Sequence, residues 1–330
     1  MRRRTTASSA VIAIAAATVF AGCGGSASPG SGEGGIEISV THPEDLYGVP
    51  WLVGRERGFF EDAGVTISKI VPAEGGGTTL QNVVAGRLPF GEVATGAVVN
   101  GFEEGAPIQV IGGGVQSVSD VLWVAETSSN LKDAKDTAGT TWGYTNPGSV
   151  TEAMSLMVPQ AAGIKDVETK STGGIGAGIA LLEAGDIDLA YAPPRVVAEQ
   201  GGALGEVVRS SDYVPVYQQT VIVTGRDYAD EHPEEARALL EGYGDAVDWI
   251  TANPAEAAQM WAADREIDPT VAEQLVQAAV EADHWSPAFN ADALQAAEDG
   301  LALTDDIESV NWSEMATDEF LSEDKRGQLP

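Results

Sequence analysis

Two glycine-rich stretches of the same pattern decide the fold, Glu74-Gly-Gly-Gly-Thr-Thr-Leu-Gln-Asn-Val-Val-Ala-Gly86 and Gly173-Gly-Ile-Gly-Ala-Gly-Ile-Ala-Leu-Leu-Glu-Ala-Gly185. In the first stretch, Leu80 and Val83 recur at helical spacing, and Gly86 can end the helix. The second stretch repeats the order of glycine loop, apolar spacing and closing glycine. This recurrence predicts two similar lobes.

A glycine loop that opens a helix leaves backbone N–H groups unpaired at the positive end of the helix dipole. A small polar or anionic group can bind there. An ordinary tight turn would also use glycine, because glycine tolerates a positive φ. Since the pattern occurs twice, we favour a binding site in which the two loops clamp one ligand.

The composition indicates a globular, exported protein. The 330 residues are enough for two domains with their own cores, and 43% are hydrophobic against 21% charged. Fifty acidic residues against 18 basic ones give a net charge of -32. Such a surface repels nucleic acids and anionic lipid headgroups, so neither is expected as a partner.

The N-terminus has the pattern of an export signal. Three arginines precede an apolar run, Ala10 to Phe20, that is too short to span a bilayer. The run ends in Val19-Phe-Ala-Gly-Cys23, which resembles the lipobox of bacterial lipoproteins, where the cysteine is acylated. We therefore expect a lipoprotein signal peptide at residues 1–22, a lipidated Cys23, and a flexible Gly/Ser tether at residues 23–35. The mature protein would be extracytoplasmic and held at the cell membrane. The sequence leaves open whether it is exported by the Sec or the Tat route.

The first part of the mature chain alternates strands and helices. Ile36 to Val40 alternates like a strand, Val49 to Arg57 has a helical pattern, and Val65 to Val71 is a second strand. Further on, Thr140 to Tyr144 is a predicted strand, and Leu189-Ala-Tyr-Ala-Pro-Pro194 ends another one.

This order resembles the substrate-binding proteins of ABC importers. The resemblance lies in Pro50-Trp-Leu-Val-Gly-Arg-Glu-Arg-Gly-Phe-Phe-Glu-Asp-Ala-Gly-Val65 and Val84-Ala-Gly-Arg-Leu-Pro-Phe90. It is closest to the group that serves nitrate, aliphatic sulfonates, taurine and thiamine-pyrimidine precursors. Pro89 and Phe90 replace the aspartate that is usual in the first lobe, whereas Ala184-Gly-Asp-Ile-Asp188 keeps the pattern in the second.

The resemblance implies an α/β periplasmic-binding-protein fold of type II with two lobes. Each lobe would be a mixed sheet flanked by helices, with additional helices at the C-terminus. Residues 36–124 and 225–330 would form lobe 1, and residues 125–224 would form lobe 2. The expected partners are a small-molecule solute and an ABC permease, and we expect a monomer without cofactor or metal.

The expected ligand-binding residues lie at glycine loops, at strand ends and at one helix cap. Ser149 can cap a helix or contact ligand, and Tyr191 stands at the carboxyl edge of a strand, where open α/β sheets hold ligands. Including positions that the resemblance implies, the candidates are His42, Tyr47, Trp51, Gly76, Gly77, Thr78, Thr95, Ser117, Asn146, Gly148, Ser149, Gly174, Gly176 and Tyr191.

The chemistry of the ligand stays open between two classes. One is a sulfonate, taurine or nitrate held by helix N-termini. The other is a neutral or cationic heterocycle stacked on Tyr47, Trp51 or Tyr191, which the acidic field favours.

A secreted enzyme on the same fold is the less favoured function. His42, His232 and His284 are scattered without metal-ligand spacing, and no Gly-x-Ser-x-Gly or Gly-Lys-Ser/Thr motif occurs. His42 is the only histidine near a predicted strand end.

Overall fold

The computed structural model describes residues 34–73, 75–305, 307 and 309–330. The predicted signal peptide, Cys23 and Glu74 lie outside the described residues, as does the tether before Gly34. Within the described ranges, no helix is both long and apolar enough to cross a membrane.

The chain alternates strands and helices as far as residue 225 and is helical after it. The strands are β1 (Ile36–Thr41), β2 (Ile67–Ala73), β3 (Phe90–Ala94), β4 (Ile108–Gly113), β5 (Leu122–Glu126), β6 (Thr141–Tyr144), β7 (Glu168–Ser171), β8 (Leu189–Ala192), β9 (Leu204–Arg209) and β10 (Thr220–Gly225). The helices are α1 (Val49–Arg57), α2 (Phe59–Ala63), α3 (Gly76–Val84), α4 (Thr95–Glu103), α5 (Val150–Ala162), α6 (Ile175–Glu183), α7 (Pro194–Glu199), α8 (Arg226–Glu231), α9 (Pro233–Ala252), α10 (Pro254–Arg265), α11 (Pro269–Glu281), α12 (Ala291–Thr304) and α13 (Trp312–Met315). Short 3₁₀ turns lie at Leu46–Gly48, Ala134–Thr137, Ser210–Asp212 and Glu323–Lys325.

Two five-stranded sheets of the same plan form the two lobes. The first has the order β2-β1-β3-β10-β4, and the second has the order β7-β6-β8-β5-β9. In each sheet the first three strands are parallel, and the fourth, β10 or β5, runs antiparallel to both of its neighbours. The predicted α/β class, with two mixed sheets flanked by helices, is confirmed.

The chain passes between the sheets twice, at residues 114–121 and 210–219, which we call the crossing segments. They are hydrogen bonded to each other, since Gln219 N donates to Val115 O at 2.8 Å and Tyr217 N donates to Gln116 O at 3.1 Å. Both crossings come a few residues before the boundaries at 125 and 225 that the sequence suggested. The reason is that β5 belongs entirely to the second sheet and β10 to the first.

The C-terminal helices cover the first lobe and reach the second. Helix α9 packs on α1 and α2, where the Trp51 ring stacks on Phe60 at 5.7 Å and tilts against Tyr243 at 4.7 Å. Helix α12 joins both cores, because Leu301 belongs to the core of the first lobe and Ala297 to that of the second. Assigning all of residues 225–330 to lobe 1 therefore leaves out this contact with lobe 2.

The contact between α9 and α2 depends on Gly242. A Cβ atom at this position would lie 2.8 Å from Phe60 Cα and 3.0 Å from Phe60 N, both of which are backbone atoms that cannot rotate away. We expect Gly242→Ala to lower the free energy of unfolding by about 1–3 kcal/mol, measured by urea denaturation.

Gly244→Ala on the same helix is the matched control. The closest atom to its added Cβ would be Lys325 Nζ, which is the far end of a flexible side chain and pairs with Asp248 on the surface. Because alanine favours a helix over glycine by about 1 kcal/mol, this variant should be as stable as the wild type or more stable. If Gly242→Ala also unfolds at the wild-type urea concentration, the close packing described here is wrong.

Candidate ligand-binding cleft

A cavity of about 920 Å³ lies between the two lobes. The end of β1, the first turns of α3 and α4, the loop before α5, and Tyr191 at the end of β8 all contribute to its wall. Its volume is at the upper end of the range of about 300–1,000 Å³ that is typical of small-molecule sites. The cleft can therefore hold a solute considerably larger than a nitrate ion.

The first lobe presents two open helix N-termini to the cavity. Helix α3 begins after Gly75 without a side-chain cap, and Gly76, Gly77 and Thr78 of its first turn line the wall. Helix α4 also begins without a side-chain cap, and the hydroxyl of Thr95 is buried there without a hydrogen-bond partner among the described residues. Two positive dipole ends thus meet on one side of the cleft, where an anionic group would be stabilised.

The second lobe presents a helix N-terminus that already has its own cap. Ser149 Oγ accepts a hydrogen bond from Glu152 N at 3.2 Å, and Gly148 N donates to Glu152 Oε2 at 2.6 Å. The predicted capping role of Ser149 is confirmed, and its side chain also lines the cavity. The Glu152 carboxylate offsets the dipole of α5, so the two lobes are not equivalent as anion binders.

The lobes approach each other closely at one edge of the cleft. A Cβ atom on Gly96, in the first turn of α4, would lie 3.0 Å from Gly148 O in the second lobe. Glycine at position 96 therefore permits α4 to come close to the loop before α5. Gly148 also lines the cavity, so the two lobes are in contact beside it.

Below the cavity floor lies a buried carboxylate. Thr41 and Thr220 form part of the floor, and Thr220 Oγ1 donates to Glu92 Oε1 at 2.6 Å. Trp51 Nε1 donates to the other oxygen of Glu92. Burial raises the pKa of Glu92 from 4.5 to about 7, and the two hydrogen bonds oppose this rise.

Tyr47 and Tyr191 also line the cavity, and we call this pair the aromatic corner. Tyr47 Oη donates to Gln219 Oε1 at 2.7 Å, and Gln219 Nε2 donates to Asp120 Oδ1 at 2.7 Å. Asp120 is 2% exposed, and burial raises its pKa to about 6. The tyrosines therefore stand in front of a buried carboxylate that belongs to a crossing segment.

The cavity wall contains most of the residues that the sequence suggested. These are His42, Tyr47, Gly76, Gly77, Thr78, Asn146, Gly148, Ser149 and Tyr191.

The structure places the other five candidates away from the cavity wall. Trp51 is 1% exposed and fills the core between α1 and α9, because a large ring on the inner face of α1 is drawn into the apolar interior. Ser117 is buried in a crossing segment, where its Oγ lies 3.0 Å from His284 Nδ1. Thr95, the first residue of α4, is buried. Gly174 and Gly176 lie outside the cavity wall, whereas the neighbouring Gly173 is part of it.

Sequence reasoning missed the floor residues Thr41 and Thr220. Thr41 could have been found, since it ends β1 directly before His42. Thr220 could not, because it begins the return strand β10, and only the order of strands in the sheet brings it under the cavity.

Within the described ranges, one group of side chains has the spacing of a metal site. Donor atoms of His42, Glu44 and Asp45 lie within 4.8 Å of one another. However, Asp45 Oδ1 accepts from Arg195 Nε at 2.7 Å, so a guanidinium already neutralises this carboxylate. The donor set therefore does not favour a metal ion.

Comparisons with known proteins agree with this architecture. The family model described as NMT1/THI5 like matches residues 46–257. A Bacillus subtilis (strain 168) protein that carries the name aliphatic sulfonates-binding protein is 22% identical over 272 residues, covering 81% of each chain. The alkanesulfonate-binding protein SsuA from Xanthomonas axonopodis pv. citri, bound to MOPS, has a TM-score of 0.69 at 14% identity, over 86% of this chain and 97% of its own. The ligand-binding component of an ABC-type import system from Staphylococcus aureus, with zinc bound, has a TM-score of 0.71 at 11% identity, over 87% of this chain and 98% of its own.

The buried Glu92 makes stability depend on pH. Because its pKa is about 7 in the folded protein and 4.5 when unperturbed, the folded state binds this proton more tightly than the unfolded chain does. Its contribution to stability is complete below pH 4.5 and is lost as pH rises through 7. We therefore compare the unfolding free energy of Glu92→Gln with that of the wild type at each pH. This difference should shift in favour of the variant by on the order of 2 kcal/mol from pH 5 to pH 8.

This change is measured by urea denaturation at both pH values. Glu104→Gln, on the exposed rim of the cavity, is the control for removing one charge from an acidic protein. Equal shifts for the two variants would contradict the role assigned to the burial of Glu92.

Proposed function

The chain belongs to the NMT1/THI5-like family, and on that basis we propose that it is the solute-binding component of an ABC importer rather than an enzyme. The observation that carries this proposal is a cleft between two lobes with two uncapped helix N-termini on one side. The names of its relatives support a transport role, since they include sulfonate-binding proteins and a component of an import system.

The proposed solute carries a sulfonate or a similar oxyanion. No lysine or arginine is found among the described residues of the cavity wall, so backbone N–H groups at Gly76 and Gly77 would bind the anion. Apolar side chains, among them Leu80 and Val84, line the same cavity beside α3. An oxyanion attached to a carbon skeleton fits this wall better than nitrate, which would leave most of the volume empty.

Transport follows from the two-lobed plan. A ligand that contacts both lobes stabilises the closed arrangement and shifts an equilibrium between open and closed states. The permease would then recognise the closed form. Because the crossing segments are short and hydrogen bonded to each other, they are suited to act as the hinge.

A second candidate ligand is a nitrogen heterocycle such as a thiamine-pyrimidine precursor. The aromatic corner supports it, because Tyr47 and Tyr191 can contact a flat ring. An enzymatic function has weaker support, since His42 is the only histidine in the described cavity wall and its neighbour Asp45 is paired with Arg195.

Gly77→Asp and Gly176→Asp form a matched pair that tests the anion site. Both glycines are the second residue of a nine-residue helix, and an added Cβ meets open space at each. Only Gly77 lines the cavity. We expect Gly77→Asp to weaken sulfonate binding at least tenfold, or about 1.4 kcal/mol, by like-charge repulsion, and Gly176→Asp to bind as the wild type does.

The measurement is isothermal titration calorimetry of the soluble protein lacking residues 1–23. The ligands are propane-1-sulfonate, taurine, nitrate and a thiamine-pyrimidine precursor. Failure of every sulfonate and of nitrate to bind the wild type would refute the oxyanion proposal. If both substitutions weaken ligand binding equally, the anion site does not lie at the N-terminus of α3.

We further propose that the protein is a lipoprotein held at the outer face of the cell membrane. The proposal rests on Val19-Phe-Ala-Gly-Cys23 and on the Gly/Ser segment that follows it. A tether of this composition would allow the two lobes to reach a permease in the same membrane.

Cys23→Ser tests the anchor, because serine lacks the thiol that receives the lipid. We expect the variant to lose labelled fatty acid and to leave the membrane fraction, while Ser26→Ala, in the same segment, keeps both. A Cys23→Ser variant that still incorporates fatty acid would show that the lipobox interpretation is wrong.

A further inference from the structure

One ion pair, which we call the interlobe pair, joins the two lobes directly. Arg195, in the first turn of α7 in the second lobe, donates from Nε to Oδ1 of Asp45 in the first lobe at 2.7 Å. The two side chains are only 18% and 6% exposed. Among the ion pairs that the described residues form, this one alone crosses from one lobe to the other. It therefore depends on how the lobes are placed.

Arg195 is held in position on the second lobe by its own helix. Its Nη1 donates to Glu199 Oε1 at 2.7 Å, one turn further along α7. Val196 and Val197 of the same helix pack against a core cluster of the second lobe, so α7 is fixed to that lobe. If the lobes separate, Arg195 keeps Glu199 and loses Asp45.

The enclosed position of Asp45 depends on Arg195. Burial raises the pKa of the Asp45 carboxyl group, whereas the charge and the hydrogen bond of Arg195 act against that rise. Glu44 adds a like charge beside it. An enclosed carboxylate that loses its cation is unfavourable, but the same group exposed to water is not. Removing Arg195 therefore penalises only the arrangement in which the lobes enclose Asp45.

Both residues of the interlobe pair adjoin the cavity wall. Asp45 lies between His42 and Tyr47, which both line the cavity, and its backbone N–H donates to His42 O at 3.0 Å. Arg195 follows Tyr191 by four residues, at the beginning of the helix after β8. The segments that would contact a solute are thus the ones that carry the pair. Separation of the lobes would break the pair and move Tyr47 away from Tyr191 together.

We propose that Arg195 is a positioning residue for solute binding, which acts through Asp45 to hold the lobes in the closed arrangement. The inference rests on the proposed solute-binding function, but it does not depend on the chemical class of the solute. In the closed arrangement Arg195 compensates the buried charge of Asp45, and in the open arrangement water does so. Because a buried ion pair adds little net stability, its main effect is on the choice between the two arrangements.

Calorimetric titration of matched variants with propane-1-sulfonate tests this role. Arg195→Met removes the cation and keeps a long side chain. We expect it to weaken binding at least tenfold, because closure would enclose Asp45 without its cation. Lys135→Met is the control, since it removes a cation from an exposed pair with Asp133 inside the second lobe, and it should bind as the wild type does.

A second substitution separates this role from simple packing. Asp45→Asn, added to Arg195→Met, removes the enclosed charge, so the double variant should recover an affinity within about threefold of the wild type. If Arg195 only fills space, the second substitution cannot restore what the first one removed. The positioning role is refuted if the double variant binds as weakly as Arg195→Met, or if Arg195→Met binds as the wild type does.

The distance between the lobes gives a readout that needs no ligand. Spin labels at Thr66→Cys and Thr169→Cys, both exposed, report it by double electron–electron resonance. The Cys23→Ser background is used, because Cys23 is the only cysteine of the chain. Thr66 immediately precedes β2 and Thr169 lies in β7, and these edge strands are the farthest in each sheet from β4 and β9, where the crossing segments begin.

We expect Arg195→Met to shift the distances of the ligand-free protein to longer values, and the double variant to return them toward those of the wild type. Without this shift, a loss of affinity would not come from closure, and the proposal fails. If propane-1-sulfonate binds the wild type and Arg195→Met alike, the oxyanion function stands and the positioning role fails. If it does not bind the wild type, the oxyanion function fails, and the distances alone decide the role of Arg195.

Discussion

The two-lobed arrangement depends on the buried side-chain amide of Gln219. It is fully buried in one crossing segment, donates to two groups in the other, and accepts from a tyrosine in the cleft wall. Because a buried amide without partners costs about 1–3 kcal/mol, its orientation is strongly determined. Together with the backbone hydrogen bonds between the two crossings, this side chain sets how they pair, and it links them to Tyr47 in the cleft wall.

Two carboxylates are buried in or beside the crossing segments, and neither is explained by stability. Glu92 and Asp120 are each enclosed without a salt-bridge partner among the described residues, and burial raises the pKa of both. Apolar side chains of similar volume at such positions commonly give a more stable protein. Instead, Glu92 lies beneath Thr220 of the cavity wall, and Asp120 is joined to Tyr47 through Gln219, so both place an ionisable carboxylate close to the cleft.

Local sequence patterns predicted where the helices and strands lie, but they did not predict which side of each one faces the cleft. The helix predicted at Val49 to Arg57 has those bounds in the structure, and the cap at Ser149 was recognisable from its residue type. Helical spacing could not show that Trp51 packs inward and away from the ligand. Nor could it distinguish Gly77 from Gly176, since that difference arises from how two separate lobes are placed around one cavity.

The same distinction explains why a repeated pattern does not give a repeated site. Both lobes share the order of sheet strands and the glycine loop that leads into a helix. In the second lobe, however, the helix that reaches the cavity is α5, and Ser149 and Glu152 already satisfy its first turn. The first lobe leaves α3 and α4 without side-chain caps, so both open N-termini at the cavity belong to one lobe. The second lobe contributes Tyr191 to the wall, so two sheets with one strand order supply different groups to the cavity.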